Sequence, residues 1–245
     1  MTQDRPTRPR SVICLSGGMD SCVTAALAAR DSEAYALHFG YGQRTEAREL
    51  TAAHAVALQL GLVDFLHLKI DLFHRIGGSA LTDSKIEVPD AAKDFDGKAQ
   101  PQEAHGQEIP VTYVPFRNAH FLAAAVSWAE VLGATRIYIG AVEQDSSGYP
   151  DCRPAYYDAF RQLVKTGTRD GNIEVLTPLI DKSKAEIVRI GLECKAPLDL
   201  TWSCYREEQE ACGTCESCIL RLRAFAAAGA QDPIRYAPAE NPARA

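Results

Sequence analysis

SVICLSGGMDSCVTAALAAR, residues 11–30, is the stretch that decides the fold. Residues 11–15 form a short apolar run, the texture of a parallel strand buried on both faces. Residues 22–30 are rich in strong helix formers. Between them lies Ser16-Gly17-Gly18-Met19-Asp20-Ser21, a glycine turn that hands the chain from strand to helix. A helix starting there aims unsatisfied amides, and the positive end of its dipole, at the space over the strand end. That is an anion site. The glycines let the backbone come close to a phosphate, and the Ser16 and Ser21 hydroxyls add donors. Asp20 would repel a bare phosphate, so it needs Mg²⁺ or a structural hydrogen bond beside it. The pattern is not the GxxxxGK[ST] loop of kinases and GTPases. A glycine-rich turn can also do no more than start a helix, but the strand before it and the helix after it favour the phosphate reading.

Working outward, apolar runs at 34–39 and 62–70 predict strands and 45–60 predicts a helix, giving a βαβαβ order. Further along, the pattern predicts a helix over 118–132, a strand over 136–142 and a helix over 154–164 with Pro154 in its first turn. A strand follows at 173–176. The last predicted helix, 183–190, opens on Ser183 with Glu186 three residues later, a capping box. This alternation predicts a Rossmann-like, doubly wound α/β fold with five parallel strands and helices on both faces, spanning 11–200. Residues 76–110 break the pattern with Gly77-Gly78, Pro89, Pro101 and Pro110, and are expected to form a mobile lid. Residues 1–10 read as a disordered tail and 229–245 as a tail whose last residues, 237–245, are expected to be disordered.

Open α/β sheets bind ligands beyond the carboxyl ends of their strands. Tyr41-Gly42-Gln43-Arg44 follows the second predicted strand, and Val114-Pro115-Phe116-Arg117-Asn118 leads into the long helix. Gly140 lies near the end of the fourth strand, and residues 143–153 follow it with Asp145, Tyr149, Asp151 and Arg153. Lys182 follows the last strand, where a cation could neutralise phosphate charge. Arg44 and Arg117 would serve equally as structural cations, and Asp145 and Asp151 as turn formers. A carboxylate could also accept from adjacent N–H donors of a ligand.

Beyond residue 200 the texture changes. Cys212, Cys215 and Cys218 follow one another at CxxC spacing, with Cys204 upstream. Four thiolates suit a closed tetrahedral Zn²⁺ site over 201–228, although an iron–sulfur cluster also accepts such spacing. Disulfides are not expected. Hydrophobic residues make up 46% of the chain, enough for a core that needs no covalent staple. No run is long enough to span a bilayer, and the polar start lacks a signal core, so the expected compartment is the reducing cytosol. A formal net charge of −6 argues against nucleic acid as the main partner.

SGGMDS matches the SGGxDS loop of the ATP pyrophosphatase group. With YGQR (41–44), VPFRN (114–118), SGYPDCR (147–153), TPL (177–179) and the cysteine cluster in that order, residues 11–225 resemble the 7-cyano-7-deazaguanine synthase family of queuosine biosynthesis. The resemblance implies an ATP-dependent carbon–nitrogen ligase. Its substrates would be 7-carboxy-7-deazaguanine, ammonia and ATP with Mg²⁺, its product the nitrile, its metal structural Zn²⁺ and its assembly a homodimer. It places ATP on Leu15, Ser16, Gly17, Gly18, Met19, Asp20, Ser21, Tyr41, Arg44, Arg117, Asn118 and Gly140. Catalysis would fall to Ser16, Asp20, Ser21 and Lys182, and the deazapurine to Asp145, Tyr149, Asp151 and Arg153. Cys152 lies in the same segment, but ammonia can attack an adenylate without a protein nucleophile. Gly17→Ala or Asp20→Asn should disable the chemistry with the fold intact. Three other readings are a tRNA-modifying relative, which would carry an RNA-binding domain and a basic surface, a relative that attaches a deazapurine to a protein by the same adenylating chemistry, and a nucleotide-binding module without turnover.

Overall fold

The computed structural model describes residues 8–91, 109–143 and 148–238. In chain order the main elements are β1 (Arg10–Cys14), α1 (Met19–Asp31), β2 (Glu33–Gly40), α2 (Glu46–Gln59), β3 (Asp64–Lys69) and α3 (Leu72–Ile76). They continue with α4 (Arg117–Leu132), β4 (Arg136–Ile139), α5 (Pro154–Gly167), β5 (Glu174–Leu176), α6 (Lys184–Glu193) and α7 (Glu216–Ala227). The five strands pair in the order β3-β2-β1-β4-β5, all parallel, as the sequence predicts.

The central strand shows why the sheet is wound on both faces. Val12 and Cys14 point into a core shared with Leu122 and Ala125 of α4 and Tyr157 and Phe160 of α5. Ile13 and Leu15 point the other way, against Cys22 and Ala25 of α1 and Ala53 and Val56 of α2. Val12 and Ile13 are both 0% exposed, and burying each contributes roughly 1.5–3 kcal/mol. A third core joins Met19 and Val23 of α1 to Ile187 and Val188 of α6 and Phe225 of α7. The capping box of α6 is present, with the Ser183 amide donating to Glu186 Oε2 at 2.8 Å and the Glu186 amide donating to Ser183 Oγ at 3.3 Å.

Differences from the sequence reading are local. The strand predicted to reach 142 ends at Ile139, because Gly140 there passes against the backbone of α1. The one-turn α3 carries too few residues to show a helical period. Of the 76–110 lid, residues 77–91 are fastened down and 92–108 lie outside the described residues. Arg44 donates to the carbonyls of Ala80 and Ile86 at 2.7 Å, and Arg206 to that of Val88 at 2.7 Å. The segment expected as a C-terminal tail is also held as far as residue 238. Ala211 and Tyr236 form a parallel bridge, and Asp232 is gripped by Arg221 at 2.7 and 2.9 Å. Residues 239–245 lie outside the described residues, as do 1–7 of the expected N-terminal tail. No helix among the described residues is long and apolar enough to cross a membrane.

Candidate active site

Strand order reverses between β1 and β4, so the loops leaving these strands part and open a crevice at their carboxyl ends. A cavity of about 280 Å³ lies there. Leu15, Ser16, Gly18, Met19, Asp20 and Ser21 line one side of it. No side chain caps the first turn of α1. Ser16 Oγ accepts from the Gly18 amide at 3.2 Å and donates to Ser21 Oγ at 3.0 Å, and Ser21 donates to the Gly18 carbonyl at 3.0 Å. The loop is therefore shaped by its own hydroxyls, while the helix start presents its amides to the cavity.

Gly17 is not a wall residue. Its φ is +90°, and a β-carbon on it would lie 2.5 Å from the Glu49 carbonyl oxygen and 2.9 Å from the Ala53 nitrogen. It lets the loop rest on α2, so Gly17→Ala disturbs packing and is not the fold-neutral probe the sequence suggested. A β-carbon on Gly140 would meet the Asp20 carbonyl and the Ser21 nitrogen at 2.9 Å. Its bare backbone is what brings the end of β4 against the loop.

Asp20 finds a cation. Lys184 Nζ lies 2.6 Å from Asp20 Oδ2, the two side chains being 18% and 24% exposed. Asp20 Oδ1 is buried and has no hydrogen-bond partner among the described residues, a costly condition for a carboxylate oxygen unless something else binds it. Lys184 lines the cavity; Lys182 does not, and pairs instead with Asp181 at 3.1 Å near the surface.

Tyr41, Arg44, Arg117, Asn118 and Tyr149 also line the cavity. Arg117 donates to the Tyr41 hydroxyl at 3.0 Å, and its Nε is buried without a partner among the described residues. Burial opposes its charge, but Tyr41, Asp151, Tyr149 and Cys152 around it outweigh that and hold it protonated. Asp151 and Arg153 do not line the cavity. Buried Asp151 instead holds the start of α4, its Oδ2 accepting from the Asn118 amide at 3.0 Å and its carbonyl from Asn118 Nδ2 at 2.9 Å. Arg153 is an exposed residue at the start of α5. Asp145 lies outside the described residues. Cys152 lines the cavity, yet burial pushes its thiol up to about 11, the opposite of an activated nucleophile.

The Sγ atoms of Cys204, Cys212, Cys215 and Cys218 all lie within 4.8 Å of one another, so the group could hold a metal ion. Backbone amides of Arg206, Glu207 and Cys212 donate to Cys204 Sγ at 3.3–3.4 Å, and those of Thr214 and Cys215 to Cys212 Sγ at 3.5 and 3.3 Å. The segment also walls the cavity, through Trp202, Ser203, Tyr205, Glu216 and Ser217. The Trp202 amide donates to the Gly17 carbonyl at 2.9 Å.

Sequence reasoning missed Lys184, Glu49, Trp202, Tyr205 and Glu216 as wall residues. Only Lys184 left a signal. It opens a helix, where the dipole disfavours a cation, and such a placement asks for an acidic partner.

A doubly wound parallel sheet with an uncapped helix start over its switch point defines a nucleotide-binding α/β protein of the pyrophosphate-loop kind. Comparison with known proteins narrows this class. Residues 10–229 match the family model described as "Queuosine biosynthesis protein QueC", and the chain belongs to that family. It is 70% identical over 232 residues to the 7-cyano-7-deazaguanine synthase of Acidobacterium capsulatum, covering 95% of this chain and 98% of that one. It is 59% identical to the 7-cyano-7-deazaguanine synthase of Koribacter versatilis, over 97% of this chain and 98% of that one. Among solved structures, the U34-tRNA thiolase NcsA from Methanococcus maripaludis with its [4Fe-4S] cluster aligns with 89% of this chain and 64% of its own, at 12% identity and a TM-score of 0.47. The chain is thus an enzyme of the ligase type.

Proposed function

We propose that the protein converts 7-carboxy-7-deazaguanine and ammonia to 7-cyano-7-deazaguanine with ATP. The carrying observation is the uncapped start of α1 facing a cavity beside the Asp20–Lys184 pair. The substrate carboxylate attacks the α-phosphorus of ATP, releasing pyrophosphate and leaving an acyl-adenylate. Ammonia adds to the carbonyl and displaces AMP, giving the amide. The amide oxygen attacks a second ATP in the same way, and loss of AMP and a proton leaves the nitrile. Both activations release pyrophosphate, so one anion loop serves both. Ser16, Ser21 and the α1 amides hold the phosphates, and Lys184, in place of Lys182, neutralises their charge. Arg117 adds a second cation, and Tyr41 orients it. Mg²⁺, which binds through one or two carboxylates plus substrate phosphates, fits the unpartnered Asp20 Oδ1 and would supply further charge neutralisation.

Mixing protein, ATP, Mg²⁺, ammonium and 7-carboxy-7-deazaguanine should yield nitrile, AMP and pyrophosphate by mass spectrometry. Intact ATP and no nitrile from folded, metal-loaded protein would refute the assignment.

The same reading makes the metal zinc, the assembly a homodimer and the compartment the cytosol, where thiolates persist. Four sulfurs bound about 2.3 Å from one tetrahedral ion sit about 3.8 Å apart. The observed limit of 4.8 Å supports a single ion. Elemental analysis should find one zinc per chain. Stripping it with a chelator should lower the melting temperature and stop turnover together, since Trp202, Tyr205 and Glu216 lose their seat. Stoichiometric iron, or a stripped protein with an unchanged melting curve, would count against a structural zinc.

A further inference from the structure

Among the described residues, three carboxylate side chains line the cavity: Asp20, Glu49 and Glu216. Two are engaged. Asp20 pairs with Lys184, and Glu49 accepts from Gln43 Nε2 at 3.1 Å and Thr45 Oγ1 at 2.8 Å. Glu216 is half-buried and makes no side-chain hydrogen bond or ion pair among the described residues. It sits in the first turn of α7, directly after the metal-site residue Cys215 and two before Cys218. The cysteine knuckle therefore fixes its backbone.

Its surroundings are aromatic. Burial pushes the Tyr149 hydroxyl up to about 12, and the Glu216 charge adds to that rise. Tyr205 lines the same cavity. Tyr149 is locked by its hydrogen bond to Thr112 Oγ1 at 2.7 Å. A carboxylate without a protein partner, lining the same cavity as Tyr149 and Tyr205, suits a flat heteroaromatic ring with two N–H donors on one edge. A carboxylate accepts two such donors side by side, one on each oxygen.

We propose that Glu216 reads the guanine-like edge of the deazapurine, one oxygen accepting from the ring N–H and the other from the exocyclic amino group. This deepens the proposed function and rests on it. Asp151, which the sequence offered for the same task, is committed to the start of α4. Glutamate in a first helical turn also favours the helix dipole. That effect is indifferent to which substrate is bound, so discrimination between substrates separates the two roles.

The test compares 7-carboxy-7-deazaguanine with its analogue lacking the 2-amino group, using zinc-loaded full-length protein. In the wild type, kcat/KM for nitrile formation should favour the amino-bearing substrate by about 10- to 100-fold, the range for a hydrogen bond to a charged group. Glu216→Gln should remove most of that preference through KM for the deazapurine. An amide offers one acceptor and turns a donor towards the second N–H. KM for ATP should stay unchanged. A Gln variant that keeps the full preference would overturn the proposal. If that variant does not fold, Glu216→Ala answers the same question by the same ratio. Wild-type protein that makes no nitrile at all would instead defeat the function on which the proposal rests.

Discussion

Replacing Lys184 with methionine should lower nitrile formation about a hundredfold or more, the usual cost of losing one preorganised group aimed at developing charge. The same change at Lys182 should leave turnover near wild type. Lys184 reaches the cavity, and its amine is 2.6 Å from Asp20 Oδ2. Lys182 is turned to Asp181, a side chain that is 69% exposed. Methionine keeps the length and apolar stem of lysine, so the comparison isolates the charge. The loss should fall mainly on kcat, because phosphate charge builds as pyrophosphate leaves. Steady-state kinetics of both variants decide the matter. A fully active Lys184→Met beside a dead Lys182→Met would return the role to the residue first read from the sequence.

The second large effect concerns stability. Arg221 and Asp232 are 2% and 4% exposed and meet through two hydrogen bonds of 2.7 and 2.9 Å. Arg221 also donates to Thr201 Oγ1 at 2.7 Å and the Leu198 carbonyl at 3.1 Å, and Tyr236 donates to Asp232 at 2.7 Å. Arg221→Met leaves a buried carboxylate without its countercharge, which costs about 3–5 kcal/mol. At about 2–4 °C per kcal/mol for a chain of this size, the melting midpoint should drop by about 6–20 °C. Adding Asp232→Leu should recover part of the loss, because an apolar pair replaces a buried ion pair with little penalty. Thermal denaturation of the single and double variants checks both statements. A single variant melting with the wild type would show that the pair is not holding the C-terminal segment.

The fold was largely legible because its signals are local. Apolar runs, helix formers and the Ser183–Glu186 box each declare themselves within a few residues. The junction at 16–21 was legible for the same reason: strand, glycines and helix are consecutive. What escaped depends on distance in sequence or on side-chain direction. Asp20 and Lys184 are 164 positions apart, and the one local hint, a lysine at a helix start, does not say where its acidic partner lies. Asp151 reads as a turn former or a ligand contact until α4 is seen to begin against it. Asp232 sits in a stretch without periodicity, so its grip on the buried Arg221 left no mark. Glu216 was hidden by its neighbours, since the cysteines on either side drew the reading towards the metal.

One hydrogen bond has a thermodynamic consequence. The Trp202 amide on the Gly17 carbonyl ties the glycine loop before α1 to the segment that holds the four thiols. Two ligands that order parts of one connected unit are linked, and linkage is reciprocal. Whatever factor a metal at the thiols contributes to nucleotide affinity, nucleotide must return to metal affinity. Loading of the thiols would then be read out at the nucleotide loop, and occupancy of the loop at the thiols.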